Sequence, residues 1–283
     1  MNKKQWITAG IAFLLVIVLY ASTQKQILGT QDLKKLTTPT QINSSALISI
    51  DSILYQAKKD LSSDQITRLD LLEHSITRGN VKQQQIDIYH HLAQFWSDTA
   101  HKFEPYAWYI AEEARLENSE KSFTFAARLF LNGLTSEEKP AVRQWEALQA
   151  KDLFERSLKI NPHNDSSRVG LGAVYLYGGL ESPMQGIGMI KEVADRDPSN
   201  IYAQMTLGQA SMASGQMDKA IERFKKVIEL QADNVEAILL LAEVKEQMGN
   251  KTEAIDWYSK SLPLIKNSGI KKEVMARIAD LRK

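Results

Sequence analysis

Histidine is the side chain best suited to acid–base and metal chemistry at neutral pH, and the chain has five histidines. They stand at positions 74, 90, 91, 101 and 163. His90 and His91 are adjacent, so on a helix their side chains point about 100° apart and do not converge on one metal ion. His163 lies in an Asn-Pro-His-Asn sequence that is typical of a turn. We therefore expect no metal site and no cofactor.

The other candidates for chemistry are pairs of like residues, two of carboxylates and two of glycines. They are Glu112-Glu113, Glu137-Glu138, Gly170/Gly172 and Gly186/Gly188. The carboxylate pairs lie in charged stretches typical of a solvated surface. The glycine pairs lie in helical sequence and not between a strand and a helix, where phosphate-binding glycines occur. The sequence predicts that the protein is not an enzyme, with an unrecognised catalytic site in region 46–101 as an open alternative.

The composition excludes several further classes of protein. The absence of cysteine rules out disulfides, thiolate metal ligands and cysteine nucleophiles. The formal net charge is +1, with acidic and basic residues interspersed, whereas a nucleic-acid-binding protein normally carries a basic face. We therefore expect neither a nucleic acid nor a small-molecule substrate as partner. Helix-forming residues dominate, and the few glycines and prolines fall between periodic segments, which predicts an all-α fold.

A repeat of 34 residues organises the C-terminal part of the chain. The stretch from Ile201 to Asn234 is followed directly by a second copy of its own pattern. Small and aromatic residues match at that spacing: Leu207 with Leu241, Gly208 with Ala242, Gly215 with Gly249, Ala220 with Ala254, Ile221 with Ile255, and Phe224 with Tyr258. A fixed period of this length is typical of stacked helical hairpins, which bury their apolar faces against one another.

This pattern resembles the tetratricopeptide repeat, a helix-turn-helix unit with small residues where its two helices touch. The resemblance implies an all-α, right-handed α-solenoid. It also implies that small and aromatic residues at fixed positions support the packing of the repeats: Gly172, Gly208, Gly215, Ala220, Phe224, Ala242, Gly249, Ala254 and Tyr258. The longer turn after Tyr177 is similar to one found in tetratricopeptide proteins of the bacterial envelope, which favours a membrane-anchored envelope protein of this family.

The predicted organisation runs from an N-terminal anchor to a closing helix. The segments are a transmembrane anchor (1–23), a flexible tether (24–45), an N-terminal helical hairpin or cap (46–80), about five repeats (81–119, 120–164, 165–200, 201–234 and 235–268) and a C-terminal capping helix (269–283). Pro263 stands in the second helix of the last repeat, so we expect that helix to end early or to kink.

In the tetratricopeptide family, the first helix of each repeat lines a concave groove. Carried onto this chain, the inward positions predict a peptide-binding groove lined by Tyr177, Tyr202, Met205, Gln209, Met212, Leu239 and Glu243, with Glu236 and Glu246 at an acidic edge. Methionine adapts to irregular apolar partners, so an amphipathic or extended peptide is the expected ligand. The alternative is that these side chains only pack within the stack.

The N-terminus predicts a membrane anchor. Lys3 and Lys4 precede an uncharged apolar run from Trp6 to Ala21, close to the shortest length that crosses a bilayer as a helix. A cleaved signal peptide is the alternative, although Leu19 and Tyr20 are poor residues for a cleavage site. The basic flank should stay cytoplasmic, which predicts a single-pass protein of the bacterial inner membrane with its soluble domain in the periplasm. A cytosolic domain on an organelle membrane is the weaker alternative.

These observations together predict a membrane-anchored scaffold or adaptor that binds a protein or peptide partner through its concave groove. Two more specific roles are implied by resemblance alone: an accessory factor in cytochrome c maturation, or one in envelope chaperone function. The identity of the partner does not follow from the sequence.

Overall fold

The protein is described by a computed structural model that covers residues 48–76, 81–180 and 183–283. These ranges contain helices and turns and no strand. The all-α prediction is therefore confirmed for the described residues. The predicted anchor (1–23) and tether (24–45) lie outside them. None of the helices in the described ranges has the length and apolar character needed to span a membrane.

The chain divides into two compact units, residues 1–183 and 184–283, and each is described by itself. Unit 1 contains seven helices in its described part: α1 (Ile50–Lys58), α2 (Ser63–Ile76), α3 (Lys82–Gln94), α4 (Phe103–Glu117), α5 (Glu120–Ser136), α6 (Pro140–Ile160) and α7 (Asp165–Tyr177). From the unit boundary onward lie α8 (Pro183–Arg196), α9 (Ile201–Ala213), α10 (Met217–Leu230), α11 (Val235–Gln247), α12 (Lys251–Ser261) and α13 (Ser268–Leu281).

The first hairpin of unit 1, α1 and α2, packs onto the next one. Ala57 and Leu69 join a buried cluster with Leu92 of α3, Tyr109 of α4, and Trp96, which lies between these two helices in the sequence. The hairpin thus covers an apolar surface that α3 and α4 would otherwise expose, and burying such a surface is what a terminal unit of a helical stack must do.

Helix α3 ends in a π-helical turn, Phe95–Thr99. The wider turn lets two consecutive aromatic residues, Phe95 and Trp96, both lie in the core, with ring centroids 5.4 Å apart at 83°. Gln65 of α2 donates its side-chain amide to the Thr99 carbonyl at 3.1 Å, which satisfies one acceptor at the end of that turn. The turn is therefore held by packing and by a hydrogen bond from another helix.

Large aromatic side chains fill the rest of the unit 1 core. Phe123 and Phe130 of α5 and Phe154 of α6 are fully buried. Trp145 of α6 lies edge-on to Phe130 at a centroid distance of 5.4 Å. These rings make α5 and α6 the best-packed hairpin of the unit, because large buried aromatic surfaces contribute most to a core.

In unit 2, the first helix of each hairpin is apolar nearly all round and the second is amphipathic. Eight consecutive residues of α11, from Ala237 to Val244, are buried, whereas α10 buries only Ala220, Phe224 and Val227. Helix α11 is therefore enclosed by its neighbours, while α10 turns one side to solvent. Helix α12 ends at Ser261, two residues before Pro263, and has 11 residues where α10 has 14.

Three short turns precede α7, α9 and α11. They span Asn161–Asn164, Asp197–Asn200 and Gln231–Asn234. In each turn the backbone N–H of the last residue donates to the carbonyl of the first, at 3.1, 3.0 and 3.0 Å respectively. The asparagine that ends each turn is also the N-cap of the helix that follows.

Candidate functional site

The helices that carry the predicted groove residues in unit 2 begin at capping asparagines. The Asn200 side-chain oxygen accepts from the Ala203 N–H at 3.0 Å, and the Asn234 side chain accepts from the Ala237 N–H at 2.9 Å. An N-cap bond of this kind satisfies one of the free amides of the first helical turn. The caps therefore fix where α9 and α11 start and, with that, the register of their side chains.

That register aligns side chains of three helices at a spacing of 34 residues. Gln209 of α9, Glu243 of α11 and Arg277 of α13 stand at equivalent positions. Hydrogen bonds join the three helices: Gln209 donates to Glu236 at 3.1 Å, and Arg277 donates to Glu246 through Nε at 2.9 Å and also through Nη2. The first of these bonds places an inward residue of α9 beside an inward residue of α11.

We call this surface the α9–α11 face. It consists of the four inward positions of each helix: Tyr202, Met205, Gln209, Met212, Glu236, Leu239, Glu243 and Glu246. Met205, Leu239 and Glu243 are buried, with 7%, 8% and 7% of their surface exposed. The other five residues are half-buried. The face therefore offers partly exposed aromatic, amide, thioether and carboxylate groups around a buried apolar base.

Tyr177, the remaining predicted groove residue, ends α7 in unit 1 and is half-buried. Because the two units are described separately, Tyr177 is not counted in the α9–α11 face. Its assignment to a groove stays a prediction, as do the assignments of the residues on the face.

The predicted repeat-structural residues fall into two groups. Seven are buried in the units: Gly172, Gly208, Ala220, Phe224, Ala242, Ala254 and Tyr258. The other two, Gly215 and Gly249, are exposed and end helices with φ of 75° and 81°. Only glycine adopts such angles without strain, which explains a glycine at the end of both α9 and α11.

Glu243 is the most unusual group on the α9–α11 face. One oxygen, Oε1, accepts from the Gln247 side chain at 3.2 Å, while Oε2 is buried and has no hydrogen-bond partner among the described residues. Burial raises the pKa of Glu243 to about 7, against the opposing effects of the Gln247 hydrogen bond and the Arg277 charge. At neutral pH this carboxyl group is therefore shared between its ionised and protonated forms.

The two carboxylates beside Glu243 differ in their partners. Glu246 receives Arg277 through both Nε and Nη2 and also the Tyr258 hydroxyl at 3.2 Å. Glu236 accepts only the Gln209 amide, and burial raises its pKa. The acidic edge thus contains one neutralised carboxylate, Glu246, and two desolvated ones without a cationic partner within 4 Å in the described part of the chain.

Unit 1 contains a buried carboxylate that sequence reasoning missed. Glu146 of α6 is 1% exposed, and its Oε2 has no hydrogen-bond partner among the described residues. Burial, reinforced by the nearby charges of Glu104 and Glu137 and opposed by Arg143, raises its pKa to about 9. The group is therefore neutral at pH 7. The only indication of this burial in the sequence is the position of Glu146, which falls on the same side of α6 as the apolar residues Val142 and Ala150.

Some of the residues first considered for chemistry have charged neighbours. The Nδ1 atom of His90 lies 3.4 Å from Oε2 of Glu113, and Oε1 of Glu112 accepts a hydrogen bond from Nη1 of Arg115 at 2.6 Å. The sequence predicts that the carboxylate pairs lie on a solvated surface. Glu138 is exposed, in agreement with that prediction, whereas Glu112 and Glu113 are half-buried. In the described ranges, no three histidine or acidic side chains are grouped in a way that could hold a metal ion.

Comparison with known proteins agrees with the repeat pattern. Residues 211–268 match the family model of the tetratricopeptide repeat. This range includes the end of α9, all of α10 to α12 and the start of α13. The prediction of tetratricopeptide repeats is therefore confirmed for this part of the chain. A search of curated protein sequences gives no match.

Several solved structures are similar at low sequence identity. TTC0263, a tetratricopeptide protein of Thermus thermophilus, is 16% identical and covers 71% of this chain and 98% of its own, with a TM-score of 0.51. MamA of Desulfovibrio magneticus RS-1 is 19% identical and covers 64% of this chain and 94% of its own, with a TM-score of 0.44. YrrB, described as having an unusual peptide-binding site, is 15% identical and covers 72% and 97%, with a TM-score of 0.42.

Proposed function

We propose, on the premise that the chain carries tetratricopeptide repeats, that it is a scaffold that binds a protein or peptide segment at the α9–α11 face. The observation that carries this proposal is the arrangement of that face. Among its inward positions, Tyr202, Gln209 and Met212 are half-buried, whereas Met205 and Leu239 are buried. Aromatic and methionine side chains over an apolar base are the composition that favours peptide binding, because they add contact area at small entropic cost.

The amide and carboxylate groups of the face add direction to such an interface. Gln209 is held by Glu236, so its side chain is already oriented before a ligand arrives. Preorganised polar groups of this kind cost little further entropy on binding. The face therefore combines an apolar contact area with fixed hydrogen-bonding groups.

A binding experiment with the full-length protein tests the proposal. Peptides are first selected from a random displayed library, and their Kd values are measured by calorimetry. Replacing Tyr202 and Met212 by alanine should weaken binding about thirty- to a thousandfold, because truncating central anchors typically costs about 1–2 kcal/mol each. Both residues are half-buried, so the variant keeps the buried base intact.

The matched control replaces Met184, an α8 methionine that is 70% exposed, by alanine. It should leave both Kd and the melting temperature unchanged. Failure to select any peptide, or equal affinity of a folded Tyr202→Ala/Met212→Ala variant, would contradict binding at this face.

We further propose that the scaffold is held at a bacterial inner membrane by residues 1–23, with the repeats on the periplasmic side. The support is sequence alone: Lys3 and Lys4 followed by the uncharged run from Trp6 to Ala21. A short spanning segment with its basic flank in the cytoplasm would direct the rest of the chain outward.

A further inference from the structure

We infer that the α9–α11 face binds a basic segment of its partner, with one cationic side chain on Glu243 and a second on Glu236. This inference rests on the proposed function and names the chemistry of the ligand. It follows from the charge of the face, in which two desolvated carboxylates lack a cation of their own chain among the described residues.

Two cations of α11 and α13 are already engaged with carboxylates of their own chain. Arg277 of α13 uses Nε and Nη2 on Glu246, and Lys245 of α11 pairs with Glu253 at 2.8 Å. Neither Glu236 nor Glu243 has an ion pair among the described residues. A desolvated carboxylate without a counter-ion is costly, and an incoming guanidinium or ammonium group would remove that cost.

Glu243 leaves hydrogen-bonding capacity unmet at this face. Gln247 occupies Oε1, whereas the buried Oε2 has no partner in the described part of the chain, and Glu243 shares its side of α11 with Leu239 and Glu236. Ordinary buried polar atoms are hydrogen-bonded, so an unpartnered oxygen at an otherwise well-packed position is an exception with a cause. A cationic ligand group supplies the donor that the folded chain lacks.

The spacing of the two carboxylates sets the spacing of the ligand's cations. Glu236 and Glu243 are seven residues apart on α11, or about 10.5 Å along the helix axis. In an extended, polyproline-like segment, side chains three residues apart lie on the same side and about 9 Å apart. A segment with basic residues at positions i and i+3 therefore matches both carboxylates.

The test compares three terminally blocked peptides for binding to the full-length protein. The first has the sequence Ala-Arg-Pro-Leu-Arg-Ala, the second has citrulline in place of both arginines, and the third has glutamate there. Citrulline keeps the shape of arginine and removes its charge. We expect the arginine peptide to bind at least about tenfold more tightly than the citrulline peptide, and the glutamate peptide not to bind, because charge-assisted hydrogen bonds are about twice as strong as neutral ones.

Two variants assign the effect to the two carboxylates. Because each substitution removes one of the two charge pairs, Glu243→Gln and Glu236→Gln should each reduce a tenfold preference for arginine over citrulline to roughly threefold. The control Glu229→Gln removes an exposed carboxylate of α10 and should preserve the full preference. Since glutamine matches glutamate in size, and Glu243→Gln removes a desolvated charge, neither substitution on the face should lower the melting temperature.

A proton measurement adds a readout that a purely structural role would not change. Arginine binding should ionise Glu243 and release a fraction of a proton at pH 7, detected by calorimetry in buffers of different ionisation enthalpy. The charged and titratable groups around Glu243 are Glu246 on α11, Arg277 on α13 and Tyr258 on α12. Burial raises the pKa of Tyr258, and the hydrogen bond with Glu246 raises the pKa of Arg277, so neither group loses a proton near pH 7 and the release should fall in Glu243→Gln.

The outcomes separate this inference from the proposed function. Equal binding of the arginine and citrulline peptides, or no measurable binding of the arginine peptide at about 1 mM, the weak end of specific affinities, would overturn the basic-segment inference. If library-selected peptides still lose affinity in the Tyr202→Ala/Met212→Ala variant, the face remains a binding site for a ligand of other chemistry. If they do not, the proposed function fails as well.

Discussion

At the scale of single residues, the two units share one feature, a glutamate buried without a full set of partners. Glu146 in unit 1 and Glu243 in unit 2 each leave Oε2 unsatisfied among the described residues. Burial is the main reason that both pKa values are raised, to about 9 and about 7, and the hydrogen bond from Gln247 that lowers the pKa of Glu243 has no counterpart at Glu146 in the described part of the chain. The first is neutral at pH 7, and the second can exchange its proton for a cation.

The protonation of Glu146 predicts a stability that depends on pH. The folded protein holds this proton up to about pH 9, whereas the unfolded chain releases it near pH 4.5, so the folded state loses stability as pH rises between those values. Glu146→Gln removes that loss. We expect equal stability of wild type and variant at pH 5, and a variant more stable by roughly 1–3 kcal/mol at pH 8.

Urea unfolding at both pH values measures this difference. Glu138→Gln, which changes an exposed residue, is the matched control and should give no pH-dependent difference. A Glu146→Gln variant whose stability relative to wild type is the same at pH 5 and pH 8 would contradict a neutral Glu146.

At the scale of helices, glycine determines how closely α9 and α10 approach. A Cβ placed on Gly208 would lie 2.5 Å from Cε1 and 2.9 Å from Cδ1 of Phe224, a ring that is itself fully buried. In contrast, a Cβ on Gly188 of α8 would meet no atom within 4 Å. The first glycine is required by packing, while the second only adds flexibility to its helix.

These two positions predict opposite effects of the same substitution. Gly208→Ala should destabilise the protein by about 1–2 kcal/mol, because the buried Phe224 ring has no room to move away. Gly188→Ala should stabilise it by about 0.5–1 kcal/mol, because alanine has the higher helix propensity. Chemical unfolding measures the free energy of unfolding of both variants. A Gly208→Ala variant more stable than wild type would show that α9 and α10 are farther apart than described.

The helices also show what sequence reasoning can and cannot reach. The period of 34 residues and the asparagine at each turn predict α9 to α12, because these signals are local and repeated. The π-helical turn at Phe95 and the buried Glu146 are not predictable in this way. Both depend on what other helices bring to the same place, and a single sequence carries no direct record of those contacts.

At the scale of the whole molecule, the comparison with known proteins agrees with the repeat in the sequence. The tetratricopeptide repeats confirmed over 211–268 are the kind that the 34-residue period predicts. The groove itself was predicted from family positions. The structure adds which of those positions are buried, such as Met205, and which stay accessible, such as Met212. Accessibility depends on neighbouring helices and so could not be derived beforehand.

The location of the full chain gives a prediction at this scale. In a bacterial host, the full-length protein should sediment with the inner membrane. If the end that carries Lys3 and Lys4 stays in the cytoplasm, added protease should digest the repeats in spheroplasts but not in intact cells. Replacing Leu14 and Val16 by lysine should release the protein from the membrane fraction, since charged residues at a bilayer centre are expensive. Protection of the repeats in spheroplasts would contradict the proposed orientation.

The self-contained turns before α7, α9 and α11 have a consequence for how such a chain can change in length. Each turn closes its own hydrogen bond and caps its own helix, using residues that lie within seven positions of one another. Removing residues 201–234 would join Asn200 directly to Val235 and recreate the same junction that Asn234 forms now. A gene encoding this protein could therefore lose or duplicate a block of 34 codons and still encode a turn and N-cap of the kind already present. A deletion that begins and ends inside helices would instead join two partial helices.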